Sequence, residues 1–228
     1  MGGLATLVLR LAGPMQAWGT EARWEVRDAG SEPSKSGVVG LLAAALGRSR
    51  TESVDDLAHL RMGVRIEREG ILKKDYQTAK DVALATDKKS GDVVSTRYYL
   101  ADAEFLVALE GSQDLLEHLQ AALDAPVFPL FLGRKSFLPS SLVNLPDSLY
   151  RSESVQQVLR ARPWVPSLGK GGPPDQLRVV EETDNRGGSG VRRDQPVGAS
   201  FSSREFVLRY VTTYWIDTPR QDVRSRGG

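Results

Sequence analysis

From Leu4 to Leu11 the chain sets Leu7, Leu9 and Leu11 on one side and Val8 and Arg10 on the other, the period-two pattern of a half-buried strand. After a long loop, Val38, Leu41, Leu42, Ala45 and Leu46 recur at helical spacing, with Ser36 positioned to cap that helix and Gly47 to stop it. Leu60 to Glu69 alternates again, with Met62, Val64 and Ile66 inward and Arg61, Arg65 and Glu67 outward. Between Gly70 and Thr96 the chain turns polar and rich in lysine (Lys73, Lys74, Lys80, Lys88, Lys89), with a turn signal at Lys89-Ser90-Gly91-Asp92. This stretch reads as an excursion from the sheet. Phe105 to Leu109 resumes a strand, Ser112 caps a helix with Leu115, Leu116, Leu119, Ala122 and Leu123 on one stripe, and Val127 to Leu132 supplies a fourth strand.

The order is β-α-β-β-α-β, so the expected class is α+β with a ferredoxin-like domain over residues 1–140. The same order underlies the RNA-recognition domain, whose four-stranded sheet presents an open face to single-stranded RNA, but fold alone does not give function. Beyond Ser141 the composition changes. Prolines 163, 166, 173 and 174 and the Gly169-Lys170-Gly171-Gly172 stretch read as loop, and Arg186 to Arg193 reads as a flexible basic turn. Phe206 to Ile216, rich in Tyr, Thr and Val, is one long strand. A smaller β-rich part over 141–219, packed on the first domain, and a disordered tail over 220–228 complete the expected organisation.

Composition narrows the chemistry. With no cysteine and two histidines in 228 residues there is no thiolate, disulfide, zinc ribbon or iron–sulfur ligand set, and no metal or cofactor is expected. No apolar run approaches the roughly 20 residues of a bilayer span, and the start lacks a secretory pattern, so a cytoplasmic protein without membrane contact is expected. The 30 basic and 29 acidic residues give a net charge of +1 and a pI near 8.0, below the basic range common to nucleic-acid-binding domains. That average hides an uneven distribution: residues 51–110 hold 9 basic and 12 acidic side chains, and residues 151–228 hold 13 and 9. The balance argues against long, non-specific electrostatic binding and is compatible with a small site built from a few placed cations.

Three segments offer such a site, each with a plain structural alternative. Ser34-Lys35-Ser36-Gly37 opens a helix and lacks the glycines of a phosphate loop. It fits either an anion site made of Lys35, hydroxyls and helix N-terminal amides, or a simple capped helix with an exposed lysine. Gly13 to Gly19 frames Gln16, able to read a base edge, and Trp18, able to stack; a tryptophan folded over the core by a Gly-Pro turn is the alternative. Gly133-Arg134-Lys135 closes a strand with two adjacent cations, or forms a solvated turn. His118 falls off the apolar stripe of its helix and His59 has no orienting partner nearby in sequence. The acidic residues show no paired-carboxylate or metal-ligand spacing, so nothing in the chain reads as catalytic.

Taken together, Leu9 to Gly19, Pro33 to Leu42, Arg97-Tyr98-Tyr99-Leu100-Ala101-Asp102-Ala103 and Leu132 to Ser136 resemble the CasD family of CRISPR-associated proteins, in that order through roughly the first 140 residues. The resemblance implies a non-catalytic subunit of the type I-E Cascade surveillance complex, in antiviral defence, that caps the backbone and holds the 5′ handle of the crRNA. It further implies a projecting β-hairpin thumb, about 73–97 here, that meets the neighbouring backbone subunit, contact with the large subunit, and access to target DNA through the complex. The residues it points to are Gln16, Trp18, Tyr76, Arg97 and Tyr98 for bases or sugars, and Arg27, Lys35, Ser36, Gly37, Gly133, Arg134 and Lys135 for backbone phosphates. A related branch cuts precursor crRNA without metal, using Tyr, Lys and His. Neither His59 nor His118 lies in a loop resembling that active site.

Overall fold

The computed structural model describes residues 3–19, 26–83, 90–164, 172–184, 186–197, 201–202 and 205–220. Along the chain these form β1 (Leu4–Ala12), β2 (Met15–Gln16), β3 (Val26–Arg27), α1 (Lys35–Ala45), α2 (Asp55–Ala58), β4 (Arg61–Arg68), β5 (Ile71–Ala83) and β6 (Ser90–Ala101). β7 (Glu104–Ser112), α3 (Gln113–Asp124), β8 (Asn144–Arg151), α4 (Val155–Ala161), β9 (Gln176–Glu182), β10 (Gly190–Pro196) and β11 (Phe206–Asp217) follow. Seven strands make one antiparallel sheet in the order β10-β11-β9-β4-β7-β1-β8, and β2, β3, β5 and β6 make a second. The fold is mixed α/β, with mostly antiparallel sheets and few helices. Among the described residues, no helix is long and apolar enough to cross a membrane.

The alternation read in β1 and β4 decides the main core. Leu7, Leu9, Leu11, Met62, Val64 and Ile66 join Phe105, Val107 and Leu109 of β7 under α1 and α3, which contribute Val38, Leu41, Leu42, Leu116, Leu119 and Leu123. The opposite face, expected to be polar, is covered as well. Helix α4 lays Val155, Val158 and Leu159 on Val8, Leu106, Ala108, Val179 and Ile216. Arg65 therefore does not point outward: it is 1% exposed, bonds Glu67 and donates to the carbonyls of Leu159 and Arg162 at the end of α4. Burial pushes the Glu67 carboxyl up despite that arginine. The signal for α4 was in the sequence: Ser154 and Gln157 form a reciprocal capping box.

Two other expectations change. Val127 to Leu132 is not a strand. Pro126 and Pro129 lack N–H groups, and the Val127 and Phe128 amides instead donate to the Ala45 and Ala44 carbonyls at the end of α1. The strand that follows α3 is β8, paired with β1, so the boundary drawn at residue 140 falls inside one sheet; β9, through β4, continues that sheet into the C-terminal part. The long strand expected at Phe206 to Ile216 is β11, whereas residues 190–193 of the expected basic turn lie in β10. Of the tail, 221–228 lies outside the described residues, as does most of the 163–172 loop.

The loop leading into α1 is stapled to the C-terminal strands by Glu32, which bonds Arg192 at 2.6 and 2.9 Å and Arg178 at 3.2 Å. Burial raises the Glu32 carboxyl, but the Ser31 and Arg192 hydrogen bonds and the two arginine charges outweigh it and hold it below the ordinary 4.5. A carboxyl depressed on folding contributes stability above its ordinary pKa and loses it as pH falls through the lowered one. Thermal melting of Glu32→Gln is therefore expected below wild type at pH 7, with the gap narrowing in acid. A gap independent of pH would contradict this reading.

Candidate nucleic-acid interface

The lysine-rich excursion is a hairpin. β5 pairs with β6 from Ile71 opposite Ala101 to Ala83 opposite Ser90, with a register shift between Ala79 and Val82; its tip, 84–89, lies outside the described residues. At the hairpin base β6 also pairs with β2 and, in parallel, with β3. This brings three segments into one row: Asp75, Arg97 and Arg27 stand side by side across β5, β6 and β3. Directly opposed residues share a face, so these three project together.

Arg134 joins them from the loop after Leu132. Its guanidinium donates to the Tyr98 carbonyl at 2.8 Å and lies 5.4 Å from the centroid of the Phe137 ring, which in turn meets Tyr99 at 5.9 Å. Burial, then the charges of Arg97 and Arg27, push the Arg134 guanidinium below its ordinary value, while Asp75 and Asp28 oppose them. It stays charged nonetheless. Gly133 makes this approach possible. Its φ is +87°, and a Cβ there would sit 1.8 Å from the Ala17 carbonyl oxygen, so no side chain fits without moving backbone. Arg27 and Lys135 are exposed, and among the described residues Arg27, Arg97, Arg134 and Lys135 form no ion pair.

Strand alternation separates two residues that the sequence grouped with Arg97. Tyr98 stands opposite Lys74 and Tyr76 opposite Thr96, which places both tyrosines on the other face of the hairpin, with Tyr76 68% exposed.

Three other sequence candidates, Trp18, Gln16 and Lys35, are turned inward. Trp18 is 1% exposed, its indole N–H donating to Gln16 Oε1 at 3.0 Å; Gln16 is fully buried, its amide donating to the Leu11 and Ala103 carbonyls. Neither stacks on nor reads a base in this arrangement. Gly37 is the close-packing point for Trp18, whose ring lies 2.8 Å from where a Cβ would be.

Lys35, 2% exposed, gives its ammonium to Glu182 at 2.9 and 3.1 Å, and its backbone N–H to Asp194 Oδ2 at 2.8 Å. Asp194 is itself held by Arg209 at 2.8 and 3.0 Å. The anion at this helix N-terminus is thus the protein's own carboxylate. Burial lowers the Lys35 pKa, opposed by Glu182. Ser34, not Ser36, is the cap, accepting from the Gly37 N–H at 3.3 Å; half-buried Ser36 meets only the Ser34 hydroxyl, at 3.5 Å. Phe137, Tyr99 and Asp75, which frame the arginine row, were not singled out: Tyr99 lies in the Arg97 to Ala103 segment, and no local motif marks the other two.

Among the described residues no group of three or more His, Asp or Glu side chains is placed to hold a metal. His59 Nδ1 lies 2.6 Å from the Asp55 carbonyl oxygen in its own turn, and His118 is exposed on α3, far in sequence from the arginine row.

Residues 6–212 match the model of the family described as CRISPR-associated protein (Cas_Cas5). A curated relative, the CRISPR system Cascade subunit CasD of Escherichia coli (strain K12), is 37% identical over 149 residues, a stretch spanning 57% of this chain and 65% of that relative's length. A crystal structure of a Cas protein aligns with a TM-score of 0.76 and 44% identity, covering 95% of this chain and 98% of that one. A chain of a CRISPR RNA-guided surveillance complex aligns with a TM-score of 0.75 and 30% identity, covering 94% of this chain and 91% of that one. The family match runs from β1 into β11 and takes in the hairpin with its arginine row: the chain belongs to the Cas5 family of CRISPR-associated proteins.

Proposed function

We propose that this chain is a non-catalytic subunit of a Cascade-type CRISPR RNA-guided surveillance complex, that it binds the 5′ handle of the crRNA, and that it caps the backbone there. The observation that carries the RNA contact is the row of Arg27, Arg97 and Arg134 at the hairpin base, with Lys135 beside it, unneutralised by ion pairs among the described residues. Such cations suit the phosphates of a bent single strand. Tyr76 and Tyr98, on the opposite face, are the stacking candidates, and the hairpin β5–β6 is the thumb that meets the neighbouring backbone subunit. The large subunit is a further contact, and target DNA is met through the complex. Within this reading the ferredoxin-like unit runs on past residue 140 to take in β8. Strands β1, β4, β7 and β8 with α1 and α3 follow β-α-β-β-α-β order and lie as β4-β7-β1-β8 in the sheet, which supports it.

Metal-independent cleavage of precursor crRNA is the competing reading; His59 is engaged with its own turn and His118 stands exposed on α3. Purification from cells expressing the whole complex, with sequencing of the bound RNA, is expected to return guide RNAs sharing one repeat-derived 5′ end. In chelator the isolated chain is expected to retain precursor RNA uncut. Co-purified RNA without a common 5′ end, or cleavage in chelator, would overturn the proposal.

A further inference from the structure

Like charges directly opposite on adjacent strands destabilise a sheet, yet Arg27 stands opposite Arg97, and Arg134 is brought to the same place from a separate loop. The fold holds the three there. Arg134 is tied to the Tyr98 carbonyl and seated over Phe137, and the Ala17 amide donates to the Leu132 carbonyl at 3.1 Å, closing the loop under it. Among the described residues Arg97 donates only to the Ser95 hydroxyl, at 3.3 Å. Asp75, its neighbour on the other side, takes a 2.6 Å bond from Gln77 and makes no ion pair with it. Elsewhere the chain seats a carboxylate bonded to two arginines, as Glu32 is to Arg178 and Arg192, whereas Asp75 at the edge of this row only partly offsets the repulsion and forms no ion pair with any of the three.

We propose that Arg27, Arg97 and Arg134 form a charge-strained phosphate receptor, in which mutual repulsion in the free protein is relieved when a backbone phosphate of a single strand is seated among the three guanidinium groups. This rests on the reading that the face binds guide RNA, and adds that occupancy stabilises the hairpin base as well as holding the strand. Guanidinium groups match phosphate oxygens in pairs, so a phosphate replaces three repulsions with charge-assisted hydrogen bonds. The repulsion is exposed enough to be screened by salt.

Melting of the full-length chain at low salt tests this, because exposed Arg27 is removable without opening the core. Arg27→Gln is expected to melt about 1–3 °C above wild type. Added pyrophosphate is expected to raise the melting point of wild type more than that of the variant, and high salt to close the gap; Arg97→Gln repeats the test from the other strand. A variant melting at or below wild type overturns the proposal. Affinity for handle RNA, measured on the same samples, separates the two readings. A variant that binds more weakly without being more stable removes the stored repulsion and leaves the RNA face standing. A variant that is more stable but binds RNA as wild type does removes the RNA face, and with it phosphate as the relieving group.

Discussion

Lys35→Ala is expected to destabilise the fold by about 3 kcal/mol while leaving the RNA affinity of the folded protein unchanged. Removing one partner of a buried ion pair costs roughly 3–5 kcal/mol, because the remaining charge stays desolvated without compensation. Here Glu182 is 21% exposed and also accepts from the Met62 amide, which puts the cost at the lower end. Lys35→Met, which keeps the stem and drops the charge, is expected to lose less. Denaturant unfolding checks the stability, and handle-RNA binding at a temperature where the variant stays folded checks the affinity. A stable variant with tenfold weaker RNA binding would return Lys35 to the RNA interface.

The lysine also marks where local reading ends. Ser34-Lys35-Ser36 at a helix start is the same signal whether the anion is a ligand or part of the protein, and the carboxylates that answer it lie 147 and 159 residues downstream. Gln16 and Trp18 are alike in this respect: glycines flanking an aromatic permit close approach, but the approach is to Leu138 and Asp28, while Gln16 bonds Ala103 and Trp18 packs on Gly37. Arg97 and Arg134 were legible as cations in family-like segments, and Arg27 as a charge outside them, but not as one row. That follows from the parallel pairing of two-residue β3 with β6 and from the positive φ at Gly133, neither of which leaves a periodic trace. The separation of Tyr98 from Arg97 was available from strand alternation alone.

For the fold, β1, β4, α1 and α3 were legible because each buries one face to a regular period. The second face of the sheet was not, because its occupants mix apolar side chains with paired charges. Val8 packs there, while Arg10 bonds Glu104 at 2.6 Å and Arg65 bonds Glu67. In β8, Pro146 and Asp147, the latter at φ +51°, interrupt the alternation, which hid the strand, whereas Val127 to Leu132 has the composition of one but its Val127, Phe128 and Leu132 amides are bonded to α1 and to Phe137 and Pro129 has none.

RNA binding by this chain rests on the arginine row. The most direct measurement is a salt titration of 5′-handle RNA binding by wild type and by the Arg27→Ala, Arg97→Ala double variant. Each phosphate contact on a single strand contributes about 0.7 to the slope of log affinity against log salt, so losing two lowers it by about 1.4. Two charge-assisted hydrogen bonds lost correspond to affinity weaker by on the order of a hundredfold at low salt. The account predicts both changes together, with melting no lower than wild type. Affinity and slope indistinguishable from wild type would contradict it.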